Sequence, residues 1–197
     1  KRGGGIIDID LIDHSDEIPF YYQFFVTFNT CDSMGANFIN SILEAFGHTL
    51  QDFFRRQEHL DDGDRNVEII MCILSNYTPE CRVKVWVECP VSELDNVDEF
   101  LDGEQFAHKF KKAVDIAHID PYRAATHNKG IYNGIDAVVI ATGNDFRATE
   151  AAGHSYASRD GRYKSLSYVE INEGIFRFTL EVPLALGTVG GLTSLHP

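Results

Sequence analysis

No apolar run in this sequence reaches the ~18 residues that a membrane-spanning helix requires, so a transmembrane segment is not expected. The first residues, Lys1-Arg2-Gly3-Gly4-Gly5, contain no initiator Met and no signal-peptide pattern. They lead directly into a strand-like run, so the chain is expected to begin inside a longer protein. Positive charge is scarce: 17 Lys and Arg stand against 30 Asp and Glu, for a net charge of −13. A field of that sign repels phosphate backbones and argues against a nucleic-acid partner. The four cysteines, Cys31, Cys72, Cys81 and Cys89, form no C-x-x-C pair. A structural zinc site is therefore not expected; Cys72 and Cys89, in strand-like runs, read as small buried thiols, and a reducing cytoplasm fits best. Internal repeats and low-complexity segments are also missing.

Across the 197 residues, 44% are apolar and 24% charged, an ordinary globular composition with room for one large domain or two small ones. Ile7 to Leu11 alternates apolar with polar residues, as a half-exposed strand does. Phe20 to Asn29 is dense in aromatics and predicts a strand buried on both faces. A helix is predicted from about Met34 to Glu58, with Ile39, Ile42, Leu43, Phe46, Leu50, Phe53 and Phe54 on one face. Val67 to Leu74 predicts a third strand, and Thr78-Pro79 marks a domain boundary. Beyond it, Arg82 to Glu88 alternates again, and Phe106, Phe110, Val114 and Ala117 mark a helical face. Ala137 to Ala141 predicts a short apolar strand, and Asn172-Glu173-Gly174 a hairpin turn between two further strands.

Three segments carry candidate chemistry. Cys31 to Asn37 joins an apolar strand to the long helix, where unpaired N–H groups can seat a phosphate. It lacks G-x-G-x-x-G, so a Rossmann fingerprint is excluded, and a helix cap by Asp32 or Ser33 is the plainer alternative. Asp120 to Gly134 places Lys129 between a polar stretch and a glycine-flanked one, away from an exposed helix face. A Lys so held can stabilise a developing oxyanion, and Arg123 and Thr126 can bind a carboxylate; a surface loop is the alternative. Asp145 falls at a helix start, where it either caps or orients Lys129. His48, His59, His108 and His118 fall on predicted helices and read as surface or satisfied core residues.

Together these strings resemble class II (bacterial-type) 3-hydroxy-3-methylglutaryl-CoA reductase along the whole chain. Asp32-Ser33-Met34-Gly35-Ala36-Asn37 is close to the family's D-A-M-G-A-N. Asp120 to Ile135 nearly reproduces the family's own string, Ala141 to Arg147 follows A-T-G-N-D-W-R, and Gly187 to Gly191 follows G-T-V-G-G. Ser33 and Phe146 depart from the family's usual Ala and Trp. The resemblance implies an α+β chain: a small ferredoxin-like, non-Rossmann cofactor-binding domain over 1–76, and part of a larger α/β substrate domain over 77–197. It implies that Lys129 polarises the thioester carbonyl, Asp145 orders the proton network beside it, and Asn133 hydrogen-bonds both network and substrate. Arg123 and Thr126 would grip the hydroxymethylglutaryl carboxylate. Asp32, Ser33, Met34, Gly35, Ala36 and Asn37 would hold NADH or NADPH, and Asn76, expected at a strand end, its nicotinamide end. HMG-CoA, mevalonate and CoA are the implied ligands, with no metal, in a cytoplasmic homodimer or larger homo-oligomer. The family's catalytic Glu and His are expected outside these 197 residues, so the isolated chain is not expected to turn over. A non-catalytic binding module of the same fold, or a reductase of another acyl-CoA, are the competing expectations.

Overall fold

A computed structural model of the chain describes residues 3–95 and 97–195. Mixed α/β structure with small antiparallel sheets divides into two units, one reaching Ser75 and including Gly187–Gly190, the other covering Asn76–Leu186 and the residues from Gly191.

In the first unit, β1 (Gly5–Asp13) pairs antiparallel with β2 (Tyr22–Asn29). β2 is not buried on both faces as its aromatic content suggests: Tyr22, Phe24 and Phe25 all keep substantial exposure. Phe24 and Phe28 nevertheless meet Phe46 and Phe38 edge-on, at centroid distances of 5.4 and 6.2 Å. Those partners lie on α1 (Ala36–Arg55), which a single-turn helix, α2 (Asp62–Arg65), follows.

Residues 67–74 form no strand, because no ladder partner accompanies them among the described residues. Side chains of α1 hold them instead: Leu74 N donates to Asn40 Oδ1 (2.9 Å) and Gln51 Nε2 to the Val67 carbonyl (3.1 Å). Gly47, the one buried residue of α1, makes this approach possible. A β-carbon there would come within 2.9 Å of Cys72 Sγ. Two paired strands are thus described in this unit, where a complete ferredoxin-like unit has four.

The second unit is built on a three-stranded antiparallel sheet in the order β3 (Arg82–Pro90), β5 (Ile175–Pro183), β4 (Ser167–Asn172). β4 and β5 join through Glu173 (φ 50) and Gly174 (φ 77), the consecutive positive φ angles of a two-residue hairpin turn. Helices α3 (Gly103–Ile119), α4 (Pro121–Ala141) and α5 (Phe146–Ala157) complete the unit. Asp120 ends α3 and caps α4 by accepting from Tyr122 N, with Pro121 in the first helical turn, where it needs no N–H partner.

Ala137 to Ala141 is the last turn of α4, not a strand. Val139 is buried in series with Ala124, Asn128 and Tyr132, while Val138 and Ile140 are exposed, so the period is helical. Two clusters form the core. Tyr132, Tyr156, Ala157, Leu166 and Val182 make one, and Ala107, Val114, Val169 and Phe176 the other. No described helix is long and apolar enough to cross a membrane.

Candidate active site

Helical spacing sorts the residues of α4 onto two sides. Ala124, Asn128 and Tyr132 are buried, whereas Tyr122, Thr126, Lys129 and Asn133, spaced four, three and four apart, share an exposed row. Arg123, beside that row, is exposed too. Lys129 therefore lies on an exposed helix face, contrary to its expected setting, because the helix begins at Pro121 and its glycines do not interrupt it. Its ammonium forms no ion pair among the described residues.

The end of α4 explains how Ala141 to Arg147 turns the chain. Gly143 takes φ 68, its N–H donates to Ile140 O, and Asn144 N donates to Val139 O, both at 3.0 Å. This paired arrangement closes a helix through a left-handed residue, which glycine adopts at little cost. Asp145 follows and caps α5: its Oδ1 accepts from Arg147 N (3.0 Å) and Ala148 N (3.1 Å). That oxygen is engaged with the backbone rather than with Lys129.

Buried contacts fix the other side of α4. The Asn128 amide donates to Lys164 O (2.8 Å) and its oxygen accepts from Leu166 N (3.0 Å). His127 Nε2 lies 2.7 Å from Ser167 Oγ, and His118 Nε2 lies 2.9 Å from the Ser167 carbonyl while its ring stacks on Tyr168. Burial, then the charges of His118 and Arg123, lower the pKa of His127. Tyr132 turns its hydroxyl toward Thr149 O at 3.5 Å, and burial above all pushes its phenol upward. Sequence reasoning missed Asn128 and His127 as anchors. The available signal was Asn128 standing four residues from both Ala124 and Tyr132, in line with an apolar face.

In the first unit, the Cys31 to Asn37 segment folds back on itself. Ser33 donates to the Thr30 carbonyl through both N (3.2 Å) and Oγ (2.9 Å). The N-cap of α1 is Gly35 at φ 91, and no side chain caps the helix. Neither Asp32 nor Ser33 takes that role. The Asp32 carbonyl accepts from Thr188 N (2.8 Å) and Val189 N (3.3 Å), and a β-carbon on Gly187 would come within 2.9 Å of Met34 N. Two strings far apart in sequence thus meet at the start of α1. Asn76 is exposed in a bend and terminates no strand, since residues 67–74 form none. Among the described residues, no group of three or more His, Cys, Asp or Glu is placed to hold a metal ion.

Known proteins resemble this chain in sequence and in fold. A 3-hydroxy-3-methylglutaryl-coenzyme A reductase from Archaeoglobus fulgidus is 37% identical over 169 residues, covering 84% of this chain and 34% of that protein. A probable reductase of the same name from Borreliella burgdorferi is 33% identical over 196 residues, covering 100% of this chain and 42% of its own length. The class II enzyme of Streptococcus pneumoniae, solved bound to NADPH in open conformations, superposes with a TM-score of 0.81 at 36% identity. That match covers 100% of this chain and 50% of the solved one. The chain spans half or less of each of these relatives. The family described as hydroxymethylglutaryl-coenzyme A reductase matches residues 1–197, and with its motif strings placed on α4, α5 and the start of α1, this chain belongs to that family.

Proposed function

We propose that this chain carries the cofactor-binding and oxyanion-stabilising parts of an NAD(P)H-dependent HMG-CoA reductase that forms mevalonate and CoA. The observation that carries the reading is the exposed row Thr126, Lys129 and Asn133 on α4, with Arg123 beside it. Substrate-facing groups must be reachable, and this row is the polar, accessible side of an otherwise anchored helix.

The start of α1 fits a nicotinamide dinucleotide. Its first N–H groups have no side-chain cap, Gly187 lets backbone approach Met34 N closely, and Gly35 packs against the Thr30 side chain. Such a helix end favours an anionic group. When bound, the dinucleotide supplies hydride. Asp32 to Asn37 hold it, and Asn76 reaches its nicotinamide end. NADPH, the ligand of the Streptococcus pneumoniae structure, is the first form to test, and NADH the second.

On the substrate, Arg123 and Thr126 grip the hydroxymethylglutaryl carboxylate, the Arg through its paired donors. Lys129 polarises the thioester carbonyl and then holds the oxyanion, a task suited to a fixed cation. Asn133 hydrogen-bonds the same oxygen network, and Asp145 keeps its protons ordered from the start of α5. Two successive hydrides, each from its own NAD(P)H, would take the substrate first from thioester to hemithioacetal and then, once the hemithioacetal has collapsed to aldehyde with release of the CoA thiol, from aldehyde to alcohol. A cytoplasmic homodimer is the proposed working form, with residues 1–76 serving the cofactor and 77–197 the substrate, apart from Gly187–Gly190, which return to the start of α1.

The test follows NADPH and NADH oxidation by the protein that carries this chain, with and without HMG-CoA, and the reverse reaction with mevalonate and CoA. HMG-CoA-dependent oxidation is expected. Cofactor binding without turnover in either direction would favour a binding module and overturn the proposal.

A further inference from the structure

Asn128 touches no solvent, yet it is polar and sits mid-helix, directly before Lys129. A buried amide without partners is costly, and this one uses donor and acceptor together. It donates to Lys164 O and accepts from Leu166 N, backbone groups on either side of Ser165. The side chain thus behaves toward that segment as a neighbouring strand would, with two bonds of opposite direction. The segment is itself held, because Ser165 N donates to the Ala117 carbonyl at 3.1 Å and β4 begins at Ser167.

Two bonds from one planar group fix both the rotation of α4 about its axis and its position along it. Apolar contacts alone leave a helix freer to roll, since packing tolerates repacking better than a directional pair tolerates misalignment. Successive helical residues point about 100° apart, so fixing Asn128 fixes the direction of Lys129. Neighbouring anchors act in the same sense: His127 on Ser167 Oγ, and Tyr132 against Thr149.

We propose that Asn128 is a positioning residue for the reductase reaction, clamping α4 to the segment before β4 so that Lys129 is aimed at the substrate carbonyl. This rests on the reductase reading above and adds to it a residue that never meets substrate.

Asn128→Leu removes both bonds while keeping the branched side-chain skeleton, and Asn128→Asp keeps the acceptor while losing the donor at neutral pH. Val139→Ala, on the same buried side of α4, serves as a stability control outside the proposed site. In the protein that carries this chain, Asn128→Leu should lower kcat on the order of a hundredfold, the scale of a 1 Å misplacement. KM for NADPH should stay unchanged. Val139→Ala should lower the melting temperature while keeping kcat. Asn128→Asp should recover part of its kcat, relative to the unaltered protein, as pH falls, because its protonated carboxyl can again donate to Lys164 O. That recovery follows the clamp rather than general destabilisation, and it remains readable should Asn128→Leu fail to fold.

If Asn128→Leu keeps its kcat, or Asn128→Asp tracks the wild-type pH profile, Asn128 is structural only and the proposal is wrong. Absence of turnover in the unaltered protein overturns the reductase reading and this one with it. Wild-type turnover that the Asn128 variants leave intact overturns this one alone.

Discussion

Gly153 of α5 leaves vacant the space that the Tyr132 hydroxyl of α4 fills: a β-carbon there would lie 1.4 Å from Tyr132 Oη and 2.6 Å from Cζ. The glycine lets the two helices approach, and Tyr132 is almost fully buried in that contact. Gly153→Ala should destabilise the fold by at least about 1–3 kcal/mol, the usual cost of overpacking a core. Urea unfolding would measure it. Adding Tyr132→Phe should restore part of the loss, giving a coupling between the two sites. Additive effects would place the clash elsewhere.

Lys129→Ala should leave stability almost unchanged, since the side chain is exposed and ion-paired with nothing among the described residues. Turnover should drop on the order of a hundredfold, the loss of about 3 kcal/mol of oxyanion stabilisation. Steady-state kinetics of the protein carrying this chain decide the matter, with kcat expected to fall far more than KM rises. Near-wild-type turnover would assign the role to another group.

Gly35→Ala should weaken NADPH binding. At φ 91 an L-residue is strained, and its β-carbon would lie 2.4 Å from Thr30 Cγ2. Relief of that clash shifts the start of α1, where the dinucleotide is proposed to sit. Calorimetric titration with NADPH reports the change, and unchanged affinity would move the cofactor site away from this turn.

Acid should weaken the fold in a window set by His127. Burial, with His118 and Arg123 nearby, holds its folded pKa below the ordinary 6.5. As pH falls past about 6.5, the unfolded chain takes up a proton that the folded one refuses, so stability declines until the folded pKa is passed. Below that point the imidazole bonded to Ser167 is protonated in both states and its contribution stays constant. The lowered carboxyl of Glu181, held by Tyr156 and then Arg82, acts only in the more acidic carboxylate range. Denaturant midpoints measured from pH 7.5 down to about pH 5 should show the slope, and His127→Gln should flatten it. An unchanged slope would assign the effect to another group.

Much of this was legible in the chain itself. Val83, Val85 and Val87 alternate with polar neighbours, and β3 is where they predict. Gly174 takes the positive φ (77) that glycine adopts at little cost, so the β4–β5 turn was readable locally, although Glu173 joins it at φ 50 without such a preference. Residues 137–141 misled because a short apolar run has no period of its own. Its helical membership comes from continuity with Pro121 to Asp136, where glycines at 130 and 134 disguise the pattern. Residues 67–74 misled for the opposite reason: they have strand composition, but a strand exists only when a ladder partner is beside it.

The family is written in strings of residues whose order and spacing chance does not supply. Most element types are written there too, because period and turn chemistry are local properties. Orientation, by contrast, came from long-range packing. That Lys129 and Asn133 face outward while Asn128 faces in depends on bonds to Lys164 and Leu166, long-range partners no local pattern names. The meeting of Asp32 with Thr188 likewise joins groups 156 residues apart in the chain. Such contacts form when packing brings distant backbone groups together, and their directional bonds then fix which side of each helix is left to meet a ligand.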